Sequence, residues 1–481
     1  MVCYCPRRVL TPIKFGTDGW RAVIADGFTF ANVERVSQAA ADYWSRASVP
    51  GTEKKIIIGY DRRFLSDQFA RRAAEVFCAN RFDVVLADRP TPTPAVSLAC
   101  RQLRAIGGVM ITASHNPAIY NGYKLKTHLG APADEGYCRA VEAWLDRQPV
   151  RAMPVNNVLP NKVRTANLLP AHYRAVKKLV DFPLIARSGL RLAHEALFGV
   201  GAGCFEDLLA GSTCRVTTLN GAHDPYFGGI NPEPVEANYR LSSGWLKKHP
   251  HDLCVVTDGD ADRVGAMDGR GGYLSTHKVI CLLLHHLFVN RGGRGRVIKA
   301  LSTTAMLDKM CADFGLQLVE TPVGFKHTAV EMIKGGVLIG GEESGGIGFA
   351  GHIPERDGIL AGLLLLELLA TERVSINRLV ARLEQRYGPH CYGRIDTRFP
   401  VDKRADLMEF LAANPPARLL RSRLKEVKTF DGVKFVAEDS SWLMLRGSGT
   451  ESVLRIYAEA GSDAGAQRLL QLGLRLAKRI A

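Results

Sequence analysis

Short apolar segments that alternate with longer amphipathic stretches are the feature that most limits the folds open to this chain. Each apolar segment is a few residues long and is followed or preceded by a stretch with helical periodicity. Alternation of this kind favours α/β layers with a largely parallel sheet. The segments with the strand pattern lie at residues 56–59, 84–86, 108–112, 253–257, 297–300 and 337–340.

The C-terminal part of the chain follows a different pattern. Three strand-like segments, 435–437, 442–446 and 453–458, lie close together and precede a helical stretch over 464–480. This order predicts a small α+β domain. Linkers rich in proline or polar residues are predicted at residues 149–160, 267–272 and 387–390.

Composition excludes several classes of protein. The chain has 481 residues, of which 46% are apolar and 23% charged, and these values exclude a mostly disordered chain, a collagen and a coiled coil. The longest apolar run, 359–370, is shorter than the roughly 18 residues of a membrane span, so we predict a buried helix and no membrane partner. Eleven scattered cysteines, and an N-terminus without a signal-peptide pattern, predict a protein of the reducing cytoplasm.

The net charge of +15 is compatible with nucleic acid, a membrane surface or an anionic small substrate. The excess is not concentrated in a tail, and the densest basic run, 418–428, has apolar residues interleaved. We predict that this run is a solvated helix face. Because no motif that reads RNA or DNA occurs, we expect no nucleic-acid partner.

Asp258, Asp260 and Asp262 occupy alternate positions in a glycine-containing loop after an apolar strand. Carboxylates at this spacing repel one another unless a divalent cation joins them, and hard oxygen ligands suit Mg²⁺ or Ca²⁺. An EF-hand loop that began at Asp258 would need Gly at its sixth position and Glu at its twelfth, but this chain has Arg263 and Gly269 there. An EF-hand Ca²⁺ site is therefore excluded. We predict a metal site, with a solvated acidic turn as the alternative.

Ser114 follows another strand pattern, in TASHNPAIYNGYKLK, with His115 beside it and Lys124 and Lys126 after it. A serine at a strand end with cations nearby is typical of a nucleophile or a phosphate carrier. The G-x-S-x-G elbow of hydrolases is absent, which disfavours acyl transfer. An ordinary polar turn is the alternative.

Two glycine-rich segments have the composition of ligand-binding loops. In RGSGT (446–450) the glycines allow backbone N–H groups to approach a ligand, and the other side chains donate hydrogen bonds, as in a phosphate cradle. The segment lacks the Walker A pattern. In GGEESGG (340–346) the acidic and hydroxyl groups suit sugar hydroxyls. A plain glycine turn and a mobile surface loop are the respective alternatives.

Together these motifs resemble those of the α-D-phosphohexomutase family, which includes phosphoglucomutases and phosphomannomutases. Five segments match in the family's order and span nearly the whole chain: FGTDGWR (15–21), TASHNPAIYNGYKLK (112–126), DGDADR (258–263), GGEESGG (340–346) and RGSGTE (446–451). The resemblance implies three related α/β domains with mixed sheets and a C-terminal α+β domain, arranged around a central cleft. The expected domains are 1–155 with a phosphoserine loop, 156–266 with a metal loop, 267–386 with a sugar-recognition loop and 387–481 with a phosphate-binding loop.

The resemblance also assigns roles to residues. It implies that Ser114 is phosphorylated and that its phosphate and three aspartates hold Mg²⁺. It further implies cations that balance this charge, with Lys124 as the first choice of base, its pKa depressed by nearby cations. The expected set is Ser114, Asp258, Asp260 and Asp262 for the metal, Arg21, Lys124, Arg263 and Lys326 for catalysis, Glu342 and Ser344 for sugar hydroxyls, and Arg446, Ser448 and Thr450 for the phosphate that is not transferred.

The implied reaction interconverts hexose 1-phosphate and hexose 6-phosphate through a 1,6-bisphosphate, which also serves as activator. The GEESGG form is more similar to phosphoglucomutases, so glucose phosphates are the expected substrate, with a phosphomannomutase or a dual-specificity mutase as the alternative. A catalytically silent binding relative and a phosphatase are rivals from other classes. We expect a phosphosugar as the partner and a monomer or weak homodimer.

Overall fold

A computed structural model describes residues 12–153, 163–447 and 452–480, whose strands form four sheets. The first unit contains β1 (Trp20–Val23), α1 (Phe30–Arg46), β2 (Glu53–Tyr60), α2 (Ser66–Ala79), β3 (Asp83–Ala87), α3 (Thr93–Gln102), β4 (Ala105–Ile111), β5 (Tyr120–Thr127), α4 (Glu135–Glu142) and β6 (Val163–Ala166). Its strand order is β1-β5-β4-β2-β3-β6. The strands β4, β2, β3 and β6 run parallel, whereas β5 and β1 are antiparallel to their neighbours.

The second and third units repeat this plan with fewer strands. The second contains α5 (Leu169–Lys178), α6 (Phe182–Ala186), β7 (Arg191–Glu195), α7 (Cys204–Leu209), β8 (Arg215–Leu219), α8 (Arg240–Lys248), β9 (Leu253–Thr257), β10 (Val264–Asp268) and β11 (Tyr273–Leu274), in sheet order β11-β10-β9-β7-β8. The third contains α9 (Thr276–His285), β12 (Arg296–Ala300), α10 (Met306–Phe314), β13 (Leu318–Thr321), α11 (Phe325–Ile333), β14 (Val337–Gly341), β15 (Ile347–Phe349), α12 (Gly358–Glu372) and α13 (Ile376–Tyr387), in sheet order β13-β12-β14-β15.

The fourth unit is an antiparallel sheet covered by helices. It contains β16 (Cys391–Arg398), α14 (Arg404–Ala413), β17 (Arg418–Leu419), β18 (Ser422–Lys428), β19 (Val433–Ala437), β20 (Trp442–Gly447), β21 (Val453–Ala460) and α15 (Asp463–Ala477), in sheet order β16-β21-β20-β19-β18-β17. Every pairing in this sheet is antiparallel. Three α/β units followed by an α+β unit confirm the predicted fold class.

A helix that is apolar on all sides joins the cores of the second and third units. The predicted buried helix over 359–370 is confirmed, because α12 has no exposed residue from Gly358 to Ala370. One continuous hydrophobic cluster contains Val255 of β9, Leu364 of α12 and Val297 of β12. Burial of this much apolar surface at about 25 cal/mol per Å² fixes the two sheets relative to each other.

The prediction of a solvated helix face over 418–428 is wrong. These residues form β17, a turn and β18, and β18 pairs with β19 through a register shift between Leu424 and Glu426. Along β18 the half-buried Leu424 and Val427 are separated by exposed Lys425 and Glu426. The interleaved apolar residues therefore mark one face of a strand rather than one stripe of a helix.

Two of the sheets cross the predicted domain boundaries. The strand β6 lies after residue 155 but pairs with β3 of the first sheet. The predicted linker at 267–272 contains the turn that closes the hairpin from β10 to β11. No helix in the described part of the chain combines the length and the apolar character that a membrane crossing requires.

Candidate active site

One structural device recurs in the first three units and positions the predicted loops. In each, a parallel strand turns back through a short loop into an antiparallel neighbour: β4 into β5, β9 into β10 and β14 into β15. The connecting loops are residues 112–119, 258–263 and 342–346. Loops at the carboxyl ends of parallel strands are the usual ligand sites of α/β folds.

The three loops meet at one point. The Gly345 carbonyl accepts a hydrogen bond from the Val264 amide at 2.9 Å, which joins the second loop to the third. A Cβ atom on Gly259 would lie 2.6 Å from the Ser114 carbonyl oxygen, so only glycine allows the first loop to pack against the second.

Ser114 lies fully buried at the centre of this junction. Its Oγ donates to Asp258 Oδ2 at 2.9 Å, and its backbone amide donates to Thr112 Oγ1 at 2.8 Å. Its φ of 52° is in the left-handed region, which typically costs a non-glycine residue about 1–3 kcal/mol and is concentrated at functional sites. The structure therefore places the predicted phosphate carrier directly against the predicted metal loop.

A buried arginine that sequence reasoning missed holds the Ser114 loop in this strained shape. Arg63 donates to the carbonyls of Ser114 and Asn116 at 2.6 Å each, and to those of Pro117 and Tyr120 at 2.8 and 3.0 Å. Its Nε lies 3.1 Å from Asp61 Oδ2. One guanidinium thus satisfies three carbonyls of the loop together with that of Tyr120, the first residue of β5.

The three predicted aspartates converge and are fully buried. Their carboxylate oxygens lie within 4.8 Å of one another. Burial, with repulsion from Asp260 and Asp262, holds the pKa of Asp258 well above its usual range. Among the residues that the structure describes, the Oδ1 atoms of Asp260 and Asp262 have no hydrogen-bond partner. Unsatisfied carboxylate oxygens in a dry pocket are the donor set that a hard divalent cation requires, so these residues fit Mg²⁺.

Lys124 is surrounded by carboxylates rather than by cations. Its Nζ lies 2.8 Å from Asp260 Oδ2, 2.9 Å from Asp18 Oδ2 and 3.0 Å from Asp262 Oδ2. Burial lowers the pKa of Lys124, but attraction to these three groups outweighs it and raises the pKa. The expectation of a depressed pKa is wrong because the ammonium's nearest charged neighbours are negative.

Arg356 joins the metal loop to the predicted sugar loop. Its Nη2 lies 2.6 Å from Asp262 Oδ2 and 2.8 Å from Asp18 Oδ2, while Nη1 lies 3.1 Å from Glu342 Oε1. Sequence reasoning missed it, because nothing in the segment before α12 marks an arginine that spans two loops. Asp18 was also missed as an individual residue, although it lies in the FGTDGWR segment.

Glu342 and Ser344 lie together in the third loop. Ser344 Oγ donates to Glu342 Oε1 at 2.8 Å, and Arg356 binds the same oxygen. Burial raises the pKa of Glu342, and Arg356 opposes this. Both recorded contacts fall on Oε1, so the described side chains leave Oε2 for another partner.

The remaining predicted cations lie at different distances from the centre. Arg21 donates to Asn116 Oδ1 at 2.7 Å, beside the Ser114 loop. Arg263 Nε lies 4.0 Å from Asp258 Oδ2 and 3.9 Å from Asp262 Oδ1. Lys326 is half-buried in the first turn of α11, and no contact with Ser114 or the aspartates is recorded for it among the described residues.

The fourth unit contributes Arg446 at the end of β20. Its Nε donates to Asp431 Oδ1 at 2.8 Å. The other two predicted phosphate ligands, Ser448 and Thr450, lie outside the described residues. A groove of about 850 Å³ lies away from this centre, at the opposite end of β9 near His251 and Arg373. Neither Ser114 nor the three aspartates line this groove, so it is not part of the candidate active site.

Family descriptions match four consecutive parts of the chain. Residues 12–149, 170–271 and 275–387 match domains I, II and III of "Phosphoglucomutase/phosphomannomutase, alpha/beta/alpha", and residues 397–472 match its C-terminal domain. The four matches follow the order of the four sheets.

Relatives cover almost the full length. A phosphoglucomutase of Komagataeibacter xylinus is 29% identical, over 95% of this chain and 89% of its own. A phosphoglucomutase/phosphomannomutase of Thermococcus kodakarensis is 27% identical, over 96% and 98%. The structure of a putative phosphomannomutase from Thermus thermophilus is 35% identical, covers 97% and 99%, and superposes with a TM-score of 0.86. Other relatives, at 28% identity, are named phosphoglucosamine mutase and phosphopentomutase. The chain belongs to the α-D-phosphohexomutase family and is an enzyme of the mutase class.

Proposed function

We propose that this enzyme interconverts hexose 1-phosphate and hexose 6-phosphate through phosphorylated Ser114, with glucose phosphates as the preferred substrate. The observation that carries the proposal is the contact between Ser114 Oγ and Asp258 in a loop of three buried aspartates. A serine hydroxyl against a metal-binding carboxylate set is suited to carry a phosphoryl group and not to acyl transfer.

The proposed transfer breaks the bond between phosphorus and Ser114 Oγ. A new bond forms between phosphorus and the free hydroxyl oxygen at C1 or C6, the hydroxyl proton ends on the departing Ser114 Oγ, and a hexose 1,6-bisphosphate and unmodified Ser114 result. Return of the other phosphoryl group to Ser114 completes the cycle, and added bisphosphate acts as activator by phosphorylating the free serine. Buried, pre-positioned charges are the main means of catalysis for such a transfer.

Mg²⁺, when held by Asp258, Asp260, Asp262 and the Ser114 phosphate, supplies positive charge to the phosphoryl oxygens. Lys124 contacts the Oδ2 atoms of Asp260 and Asp262, Arg356 contacts that of Asp262, and both thereby fix the loop. We propose that protonated Lys124 is a fixed positive charge beside the transferred group. Arg21 and Arg263 lie beside the Ser114 and Asp258 loops and supply further positive charge.

We propose that Glu342 and Ser344 bind the sugar hydroxyls. The phosphate that is not transferred is bound by residues of the RGSGT segment, with Lys326 as a further cation: Arg446, Ser448 and Thr450. The substrate must bind in two orientations, so groups that contact shared hydroxyls serve both. The GEESGG sequence supports glucose. Mannose phosphates are the second candidate, favoured by the name of the Thermus thermophilus structure at 35% identity.

A coupled assay of the purified protein tests the proposal. Glucose, mannose and glucosamine 1-phosphates are supplied with Mg²⁺ and a trace of the matching 1,6-bisphosphate, and the 6-phosphate is measured. The Ser114→Ala variant, purified in parallel, is the control for contaminating mutase. We expect the highest kcat/KM for glucose 1-phosphate. A clear preference for glucosamine phosphate, or activity equal to that of the control, would contradict the proposal.

A further inference from the structure

Asp431 lies at the tip of the fourth unit, in the turn between β18 and β19, and makes two contacts of different kinds. Its Oδ1 accepts from Arg446 Nε at 2.8 Å, within its own unit. Its Oδ2 accepts from the backbone amide of Val323 at 2.7 Å, in the third unit. A single carboxylate therefore holds two loops from different units.

Both loops belong to the proposed substrate site. We call Arg446 and Gly447, the described residues that begin the RGSGT segment, the phosphate loop, and residues 322–327, which lead into α11 and contain Lys326, the lysine loop. The lysine loop also touches the first unit, where a Cβ atom on Gly324 would lie 2.6 Å from Thr17 Cγ2. A contact between the two loops thus couples the fourth unit to the place where the first and third meet.

Local structure directs Asp431 toward Arg446. Gly432 has φ +80°, and a Cβ atom there would lie 2.4 Å from the Leu445 carbonyl oxygen. Only glycine allows this turn to lie so close to β20, and that approach brings the preceding aspartate to the arginine. The side chains of Arg446 and Asp431 are 13% and 19% exposed, so solvent screens their attraction only in part.

The contact leaves the phosphate-binding end of the guanidinium available. Asp431 uses Nε, and arginine has four further N–H donors on its two terminal nitrogens. Bidentate binding of a phosphate by these nitrogens requires a guanidinium plane that does not rotate. A carboxylate on Nε fixes that plane without occupying the donors that a phosphate needs.

We propose that Asp431 is a positioning residue that orients Arg446 and joins the phosphate loop to the lysine loop, so that both act together on the phosphate that is not transferred. The inference rests on the proposed function, in which this loop binds that phosphate. Asp431 itself touches neither the substrate nor the reacting atoms.

Other contacts between the third and fourth units do not depend on Asp431. Lys434 Nζ donates to the Leu301 carbonyl at 2.6 Å, and Glu459 Oε1 accepts from the Ala305 amide at 2.9 Å. Lys428 Nζ lies 2.5 Å from Glu320 Oε2. A substitution of Asp431 is therefore expected to leave the fourth unit docked, and its effect reports on the two loops.

The test compares Asp431→Asn with Asp439→Asn in the full-length enzyme. Asparagine keeps the shape and one acceptor oxygen, but it removes the negative charge and replaces the other oxygen by an NH2 donor, so it cannot accept from Arg446 and Val323 together. Asp439 is a matched control, because it is an exposed turn aspartate of the same sheet whose side-chain bonds go only to Ser441 in its own turn. Three measurements are made: steady-state kinetics with both glucose phosphates, calorimetric binding of inorganic phosphate, and hydrogen–deuterium exchange over residues 318–327.

For Asp431→Asn we expect KM for both glucose phosphates to rise about 10- to 100-fold, with a smaller fall in kcat. The dissociation constant of inorganic phosphate should rise in parallel, and residues 318–327 should exchange faster. Asp439→Asn should match the wild type in all three. In an Arg446→Met background, Asp431→Asn should raise KM by a clearly smaller factor than in the wild type, because the part of its effect that acts through Arg446 is then absent.

Unchanged phosphate binding and unchanged exchange in Asp431→Asn would overturn the inference, whichever sugar is the substrate. A KM effect of undiminished size in the Arg446→Met background would overturn it as well, since Asp431 would then act through another group. If the wild type converts no hexose phosphate, but phosphate binding and exchange respond as expected, the proposed substrate is wrong and the role of Asp431 stands.

Discussion

Replacing Lys124 by arginine and by methionine tests whether Lys124 acts as a fixed positive charge or as a proton acceptor. Three carboxylate oxygens lie 2.8–3.0 Å from its Nζ. At an effective dielectric constant of about 20, each contact gives roughly 6 kcal/mol of Coulomb attraction. Three such contacts outweigh the several kcal/mol that burial of an ammonium group costs. The attraction therefore decides the direction of the pKa shift, and the pKa of Lys124 rises above its ordinary value of 10.5.

A raised pKa keeps Lys124 protonated under all ordinary assay conditions. Its contribution to stability is complete below pH 10.5 and is lost only as the pH rises through the higher pKa of the folded state. We expect the profile of kcat/KM between about pH 6 and 9 to show no inflection from this residue.

The two substitutions then have different expected effects. Methionine removes the ammonium group from the carboxylates of Asp18, Asp260 and Asp262, of which Arg356 still contacts the first and the last. Breaking a buried ion pair costs about 3–5 kcal/mol. When all of this free energy is lost from the stabilisation of the transition state, kcat/KM falls roughly 160- to 5,000-fold. Arginine keeps the charge, so we expect a loss of about tenfold or less. The measurement is steady-state kinetics with glucose 1-phosphate at saturating Mg²⁺ across this pH range.

Lys126 provides the matched control, because it lies two residues further along β5 and is equally buried. Its Nζ lies 2.5 Å from Glu355 Oε2, so its ion-pair partner is Glu355 and not an aspartate of the metal loop. Lys126→Met is expected to lower the melting temperature while affecting kcat/KM much less than Lys124→Met. Equal losses in Lys124→Arg and Lys124→Met, with a wild-type inflection that both variants abolish, would show that Lys124 accepts the proton and that the charge argument is wrong.

Three further predictions concern the serine, the metal and the sugar loop. Intact-protein mass spectrometry should show one added phosphate that Ser114→Ala lacks, and mutase activity should fall by several orders of magnitude; near-normal turnover in the variant would refute the assignment. Chelation should abolish turnover and Mg²⁺ restore it, and Asp260→Asn should weaken metal binding and activity together, because one anionic ligand is lost; full activity in excess chelator would contradict this. Glu342→Ala should lower kcat/KM about 10- to 150-fold for both glucose 1-phosphate and glucose 6-phosphate, since a hydrogen bond to a charged group contributes about 1.5–3 kcal/mol; a loss in one direction only would show that Glu342 does not contact shared hydroxyls.

Strands were predictable wherever the sequence pattern was local. The strands β9 and β14 are apolar almost throughout, β2 contains the apolar run 56–58, and the buried helix α12 is apolar except for Glu367 and its last two residues, so each was evident from consecutive residues. Segment 418–428 was not, because mixed basic and apolar residues fit a helical stripe as well as a strand face. Only its pairing with β19, which is a contact distant in sequence, decides between them.

The functional loops were predictable because their chemistry is concentrated in short motifs. The residues that hold these loops in place were not predictable. Arg63 reaches the Ser114 loop from more than fifty residues away, and Arg356 reaches Asp18 from more than three hundred. Neither residue stands in a motif with a spacing that signals its partner. The wrong expectation for Lys124 has the same origin, since its neighbour in sequence is Lys126 whereas its neighbours in space are carboxylates.

The contacts of the aspartates explain how a loop with three buried carboxylates can be stable and still bind a cation. Lys124, Arg356 and Thr93 all contact the Oδ2 atoms of Asp260 or Asp262. The Oδ1 atoms of the same two residues have no hydrogen-bond partner among the described residues, and Arg263 Nε lies 3.9 Å from that of Asp262. The protein's own cations thus hold one oxygen of each carboxylate and fix its plane, and the other oxygen stays dry and unsatisfied. A cation that binds there completes a set of ligands that is already oriented, so binding does not have to displace Lys124 or Arg356.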